Sequence, residues 1–275
     1  MTNVAKGMAL TIGLNAVDPK HYSGWSGELV ACEFDANDMA EIAKSRNFQI
    51  KTLLTKEATR ANVINEISKA AKALKAGDMF MFSYSGHGGQ VPDLNGDEVD
   101  DLDETICLYD SQLIDDELNA QFAKFAEGVR ILFFSDSCHS GTVAKVAYLK
   151  STGMISPQTR YRSMPIDIGM RVYRENKTFY DKILKDKSLM DAEDEVKASV
   201  LLISGCQDSQ VSQDGDANGL FTSQLVYVWN HGSCKKNYRQ FYKAIYNLMP
   251  PSQQPNYYRT GKIDPKFEKQ QIFHI

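Results

Sequence analysis

Patterned cysteine is missing from this chain. Cys32, Cys107, Cys138, Cys206 and Cys234 are odd in number, irregularly spaced and without a Cys-x-x-Cys pair, which argues against both a disulfide framework and a zinc ribbon. Thiols so placed suit a reducing, cytoplasmic compartment. Long apolar runs are missing too: none approaches the ~18 residues that cross a bilayer, so no membrane partner is expected. The early run Gly7–Asn15 is too short and too weakly charged upstream for a secretory leader, and reads as a first buried strand. Nor is there an excess of one charge. Lys plus Arg is 31 against Asp plus Glu 35, a net charge of -4, and no nucleic-acid footprint follows from it. A Gly-x-Ser-x-Gly elbow is absent around Ser135, Ser137 and Ser140, which disfavours a serine hydrolase. His87, Cys138 and His139 lack the usual spacing of metal ligands, so neither a metal nor another cofactor is expected. No repeat, low-complexity tract or linker divides residues 1–275, and a single domain acting as a monomer is the expectation.

What is present is a pair of matching stretches. Met79-Phe80-Met81-Phe82-Ser83-Tyr84-Ser85 runs into Gly86-His87-Gly88-Gly89, and Val129-Arg130-Ile131-Leu132-Phe133-Phe134-Ser135 runs into Asp136-Ser137-Cys138-His139-Ser140-Gly141. Each reads as a buried strand of a parallel sheet with a reactive side chain just past its end. Ligands of such sheets sit at the carboxyl ends of the strands. If the two strands are neighbours, about 4.8 Å apart, an imidazole and a thiol face each other.

That pairing suits nucleophilic catalysis. A thiol of pKa ~8.5 is a poor nucleophile until a neighbouring base takes its proton. Cys138 is therefore expected to attack, and His87 to act first as base and then as acid. Gly88 and Gly89 let the backbone approach a substrate closely. The amides of Gly88 and Cys138 are the candidate oxyanion donors. His139 is the weaker candidate base, because adjacent side chains on an extended segment point apart.

The remaining periodicity is that of an α/β domain. A helix is expected from about Ala31 to Asn47, a strand over Gln49–Leu54, and a helix capped by Thr59 and running to Leu74. Thr105–Tyr109 reads as a strand and Asp115–Ala126 as a helix. Thr178–Asp191, Phe221–Asn230 and Lys235–Leu248 read as helices, Ala198–Ile203 as a buried strand and Gln271–Ile275 as a last edge strand. The turn-rich loop Asp18–Gly27 starts at a strand's carboxyl end and is placed to border the cleft. Residues 141–177 carry no clear period, and loops this long are usually functional or disordered. Asp93, Asn95, Asp97 and Glu104 fall at EF-hand positions, but Glu98 stands where Gly is needed. Asp214–Gly219, a second near match, reads as a turn feeding a helix.

Tyr84-Ser85-Gly86-His87-Gly88-Gly89 and Asp136-Ser137-Cys138-His139-Ser140-Gly141 resemble the two catalytic motifs of metacaspases and their bacterial relatives, the orthocaspases. The resemblance extends to Ala31–Met39 and Ser204–Asp208. The separation of His87 and Cys138 is also the spacing of about 50 residues seen in caspases. The resemblance implies a caspase-like three-layer sandwich, a mostly parallel central sheet flanked by helices, and cysteine endopeptidase activity. It also implies that Cys32, Asp35, Ser85 and Asp136 line the first specificity pocket, with Asp208 near it. A carboxylate such as Asp136 at the mouth of an apolar strand wants a cation, so peptide or protein substrates with Arg or Lys at the cleavage site are expected. Alternatively, Asp35 serves its helix start and Asp136 pairs with an arginine of the chain itself. The family's calcium ligands correspond to Asp103, Asp115 and Asp116, but Lys145 stands at a further acidic position, so calcium-independent activity is expected. Lys145, Lys150, Arg160 and Arg162 are candidate sites of self-cleavage. A catalytically silent scaffold that binds peptides or partner proteins is the alternative function.

Overall fold

Short runs rich in aromatic and branched side chains build the inside of the sheet. The computed structural model describes residues 4–94, 102–138, 160–189, 192–207, 210 and 212–275. The strands are β1 (Gly7–Gly13), β2 (Gln49–Leu54), β3 (Met79–Ser85), β4 (Gly88–Pro92), β5 (Leu102–Cys107), β6 (Gln112–Ile114), β7 (Arg130–Asp136), β8 (Ser199–Ser204) and β9 (Asn256–Gly261). Six of them form one sheet in the order β2-β1-β3-β7-β8-β9. The first five run parallel, and β9 closes the edge antiparallel to β8. β3 and β7 are buried at every position, as central strands covered on both faces must be.

Alternation along these strands sends side chains to opposite faces. Phe80, Phe82, Ile131 and Phe133 pack on one side with Val63 and Ile67 of α2 (Arg60–Ala73) and Phe122 of α3 (Asp115–Phe122). Met79, Met81, Leu132 and Phe134 pack on the other. Their partners there include Met39 and Ala43 of α1 (Cys32–Ser45) and Phe221, Leu225, Phe241 and Ile245 of two later helices. The result is the helix, sheet, helix sandwich that the resemblance implied. Thr59 caps α2 as expected, its hydroxyl accepting from the Asn62 amide at 3.3 Å.

A small antiparallel sheet, β4-β5-β6, grows directly out of the His87 turn. Val91, Cys107 and Ile114 of this sheet share a third cluster with Met164, Val172, Tyr173 and Tyr180. That cluster fastens α4 (Ile166–Glu175) and α5 (Lys177–Leu184) beside the site.

Three sequence expectations are corrected. The last edge strand is Asn256–Gly261, not Gln271–Ile275. Ile272 and Phe273 are fully buried plugs in the second core cluster, with Phe273 at a φ of 58°. The apolar character of that tail reflects burial with only a single bridge, Gln271 to Asn237, and the polar sequence of β9 concealed a strand that has one face on the core. Within the region read as aperiodic, residues 166–175 form an amphipathic helix that buries Gly169, Val172 and Tyr173, a pattern the sequence reading passed over. The helix expected from Thr178 to Asp191 is shorter and starts one residue earlier, Lys177–Leu184. Residues 141–159 lie outside the described residues.

Candidate active site

Ser85 of β3 pairs in register with Asp136 of β7. His87 and Cys138 therefore each lie two residues beyond the last pair, at the carboxyl ends of neighbouring central strands. His87 is buried, with Nε2 at 2.9 Å from the Gly27 carbonyl oxygen. With the proton on Nε2 and donated there, Nδ1 keeps its lone pair, and Nδ1 is buried without a hydrogen-bond partner. The Trp25 indole covers the ring at a centroid distance of 4.7 Å. Burial pushes the imidazole down to about 4, partly offset by the Gly27 carbonyl. At neutral pH it is an uncharged acceptor. The loop read as bordering the cleft thus supplies both the roof and the orienting carbonyl.

The Cys138 thiol is fully buried and does not bond to His87. Its Sγ lies 3.0 Å from Cys206 Sγ and accepts from the Ser212 amide. Burial, followed by the neighbouring Cys206, pushes this thiol well above its usual range. The covered site therefore holds a neutral thiol and a neutral imidazole.

One carbonyl bridges the two strand ends. The amides of Gly88 and Cys138 both donate to the Arg162 oxygen at 3.0 Å. Around that carbonyl, the chain from Arg160 to Met164 is paired on both sides. Arg162 N–H donates to Ser212 O, and Asp214 N–H donates to Arg160 O, each at 3.0 Å, in an antiparallel bridge of Tyr161 with Gln213. Downstream, the Met164 amide donates to Gly88 O at 2.7 Å.

The Arg162 side chain, 0% exposed, fills an acidic cage. Its guanidinium lies 2.7 Å from Asp35 Oδ2, 2.9 Å from Asp136 Oδ2 and 2.9 Å from Asp214 Oδ1. It also donates to Ser85 Oγ at 2.8 Å. Burial opposes the guanidinium charge, but Asp136 and its fellow carboxylates outweigh it and hold Arg162 well above the usual range. Burial also raises the Asp35 carboxyl to about 6, more than Arg162 lowers it.

Each acid is held by groups other than the arginine. Asp35 accepts from Ser85 Oγ, Asn218 Nδ2 and Gly219 N. Asp136 accepts from Ser212 Oγ and from the amide and hydroxyl of Thr222. Asp214 accepts from the amides of Val30 and Ala31 at the entry to α1. Such preorganisation is what a cation pocket needs if its carboxylates are to stay in place when the cation leaves. Gly219 forms the pocket floor: a Cβ there would lie 2.5 Å from Arg162 Nη1.

Of the residues read from the sequence as site members, Asp35, Ser85, Asp136, His87, Gly88 and Cys138 all meet the 160–164 segment or its cage. Cys32 is buried near enough to Arg162 to feel its charge, although burial is the larger influence and pushes its thiol up. Asp208 lies outside the described residues. Asp136 does pair with an arginine of the chain, as the alternative reading held, but that arginine also presents its carbonyl to two strand-end amides. Sequence reasoning missed Trp25, Gly27, Ser212, Asp214 and Gly219. Asp214 and Gly219 stood in a run that read as an ordinary turn, and no local pattern says which cleft a turn will fold against.

The residues matching the family's calcium ligands, Asp103, Asp115 and Asp116, lie close enough for their charges to interact. Burial, Glu104, Asp116 and Asp103 all push the Asp115 carboxyl well up. Among the described residues, however, no three His, Cys, Asp or Glu side chains converge as metal ligands.

The caspase domain family matches residues 6–267 of this chain. The chain belongs to that family. As a caspase-domain protein it is 28% identical to Metacaspase-1 of Kluyveromyces lactis, over 87% of this chain and 61% of the relative. It is 30% identical to Metacaspase-1A of Aspergillus oryzae, over 87% of this chain and 62% of that one. The chain spans about three fifths of the length of these metacaspase relatives. The crystal structure of protein GSU0716 from Geobacter sulfurreducens is 59% identical and superposes with a TM-score of 0.90, covering 98% of this chain and 99% of that one. The caspase-domain protein is metacaspase-like in sequence, and no described helix is long and apolar enough to cross a membrane.

Proposed function

We propose that this chain is a cysteine endopeptidase that cuts after Arg or Lys through Cys138 and His87. The observation that carries the reading is Arg162, whose guanidinium sits in the Asp35, Asp136 and Asp214 cage while its carbonyl oxygen accepts from the Gly88 and Cys138 amides. A residue bound for acyl transfer needs both ends fixed at once: a side chain in a selective pocket and a carbonyl on paired donors. Three carboxylates around one planar cation favour Arg, and a Lys ammonium enters as a point charge.

In this mechanism His87 Nδ1 takes the proton of Cys138 and the sulfur adds to the carbonyl carbon. Charge developing on oxygen is met by the Gly88 and Cys138 amides. Collapse breaks the C–N bond, and the imidazolium gives its proton to the leaving amine. Water, deprotonated by the same imidazole, then cleaves the thioester. The Gly27 carbonyl keeps the ring in the tautomer that leaves Nδ1 free to accept. The thiol must first turn from Cys206 and Ser212 toward His87. The reaction uses no calcium, and its sites of self-cleavage are basic residues after Cys138. The enzyme acts as a monomer on peptide or protein substrates in the cytoplasm.

The thiol's orientation toward Cys206 also favours a second reading, a silent scaffold that binds peptides in the same groove. A fluorogenic panel with Arg, Lys or Asp before the scissile bond, run on wild type and Cys138→Ala, separates the two. The peptidase reading expects Arg and Lys hydrolysis lost in Cys138→Ala. Hydrolysis of Asp peptides alone would overturn the pocket assignment, and no hydrolysis of any peptide would leave the scaffold.

A further inference from the structure

We infer that Cys206 and Cys138 form a reversible disulfide when the chain meets a peroxide, Cys206 being the residue oxidised first and Cys138 the one that closes the bond. That this pairing silences an enzyme rests on the peptidase reading above. The pairing itself does not.

The sheet brings the two sulfurs together. Ser135 of β7 pairs in register with Ser204 of β8, and the ladder runs one step further through the Gly205 amide, which donates to Ser135 O at 2.7 Å. Cys138 and Cys206 therefore leave the ends of adjoining strands. Such strands lie about 4.8 Å apart, inside the range of about 4.4 to 6.8 Å over which two Cα atoms can be bridged. The sulfurs are 3.0 Å apart, and closing to the ~2.05 Å of a disulfide moves them by about 1 Å. Cys206 also donates its S–H to Ser137 O at 3.4 Å, which holds its sulfur beside the residue before Cys138. Cys107 and Cys234 belong to other core clusters.

The two thiols differ in access. Cys138 is 0% exposed and Cys206 is 6% exposed. Cys206 lines a cavity of about 570 Å³ floored by β7, β8 and β9 and walled by α3, with Ser135, Ser204 and Gln207 beside it. Residues 160–164 are not part of that lining, so a peroxide molecule reaches Cys206 while the Arg162 cage stays in place. There the Cys206 sulfur bonds to one peroxide oxygen, the O–O bond breaks, and water leaves with the thiol proton, which makes a sulfenic acid. The Cys138 sulfur then bonds to the Cys206 sulfur, the S–O bond breaks, and a second water leaves with the Cys138 proton. Two thiols are oxidised and one peroxide is reduced. Burial holds the Cys138 thiol well up, and the Ser212 amide aimed at its sulfur pulls the other way, toward the thiolate that this attack needs. The disulfide fixes Cys138 in the direction it already faces and removes the thiol that acyl transfer requires. A small thiol reverses it by exchange.

The test treats wild type, Cys206→Ser and Cys138→Ser with hydrogen peroxide and quenches in acid. Peptide mapping without reductant finds any linked pair, dimedone traps sulfenic acid, and a fluorogenic Arg peptide follows turnover relative to each chain's own untreated rate. Cys206→Ala stands beside Cys206→Ser, and thermal melting shows which of them is folded. Wild type should become lighter by two hydrogens, yield one linked peptide pair carrying Cys138 and Cys206, and lose its turnover. Dithiothreitol should restore both mass and rate. Cys138→Ser should stop at the sulfenic acid and carry dimedone on Cys206. The folded Cys206 variant should form no link and keep its own rate under the same peroxide. Wild type with no link between Cys138 and Cys206, or a Cys206 variant whose Cys138 gains oxygen and whose turnover falls as fast as that of wild type, would overturn the inference and leave the peptidase reading standing. A link that forms in a chain unable to hydrolyse any Arg peptide beforehand would end the peptidase reading and leave the disulfide.

Discussion

Replacing Asp136 by Asn tests the cage most sharply, because it removes one negative charge and almost no volume. Asp136 Oδ2 lies 2.9 Å from the Arg162 guanidinium, and both groups are at most 2% exposed. An asparagine oxygen can still accept from Thr222, so the local frame survives. What is lost is one charge-assisted hydrogen bond to a buried cation, worth about 1.5 to 3 kcal/mol. At 1.4 kcal/mol per tenfold, kcat/KM for an Arg peptide should fall by about 10- to 150-fold. A citrulline peptide, equal in shape but uncharged, isolates the charge. The cycle of enzyme variant against substrate charge measures the coupling directly. Equal losses on Arg and citrulline peptides would refute the reasoning, since they would make Asp136 a brace for the strand end with no direct role in reading charge.

Three further outcomes follow from the same geometry. A Cβ at Gly219 overlaps the guanidinium position, and overpacking of this kind costs about 1 to 3 kcal/mol. Gly219→Ala should therefore lower kcat/KM for Arg peptides by about 5- to 150-fold without slowing alkylation of Cys138 by iodoacetamide; an unchanged Arg rate would remove Gly219 from the pocket. Burial holds the His87 imidazole down to about 4, against 6.5 ordinarily. Between those values the unfolded chain binds more protons. The stability His87 contributes is thus complete above about 6.5 and lost as pH falls to about 4, about 3 kcal/mol in all. Asp35, raised to about 6, acts in the opposite sense. The readout is accordingly the difference between wild type and His87→Gln in urea unfolding from pH 7 to 4, and a difference independent of pH would contradict the burial of the ring. Finally, millimolar calcium added to chelator-treated enzyme should leave the Arg-peptide rate unchanged; a large increase would show that Asp103, Asp115 and Asp116 act in a metal site.

The parts of the fold that the sequence made legible share one cause. β3 and β7 are buried on both faces, so nearly every side chain along them is apolar, and the polar residues that follow mark where the strands end. His87 and Cys138 stand out for that reason. Their common register follows from strand adjacency, which the apolar runs suggest but do not fix. Hidden were the features whose sequence is set by something other than periodicity. β9 is polar because one face meets solvent, while Ile272 and Phe273 are apolar because they are buried outside any strand. Asp214 and Gly219 belong to a turn whose importance comes from Arg162, far away in sequence. Arg162 itself was visible only as one of four basic residues after Cys138. Nothing local distinguishes it from Arg160, two residues earlier on the same extended segment.

The central claim is that Cys138 is a nucleophile served by an arginine pocket, and covalent capture tests it most directly. A peptide ending in an arginyl acyloxymethyl ketone, added to the protein, should form one adduct that tandem mass spectrometry places on the Cys138 sulfur. Excess free Arg peptide should slow its formation, and Asp136→Asn should slow it further. An unlabelled Cys138, or an adduct on Cys32, Cys107, Cys206 or Cys234 instead, would contradict the account.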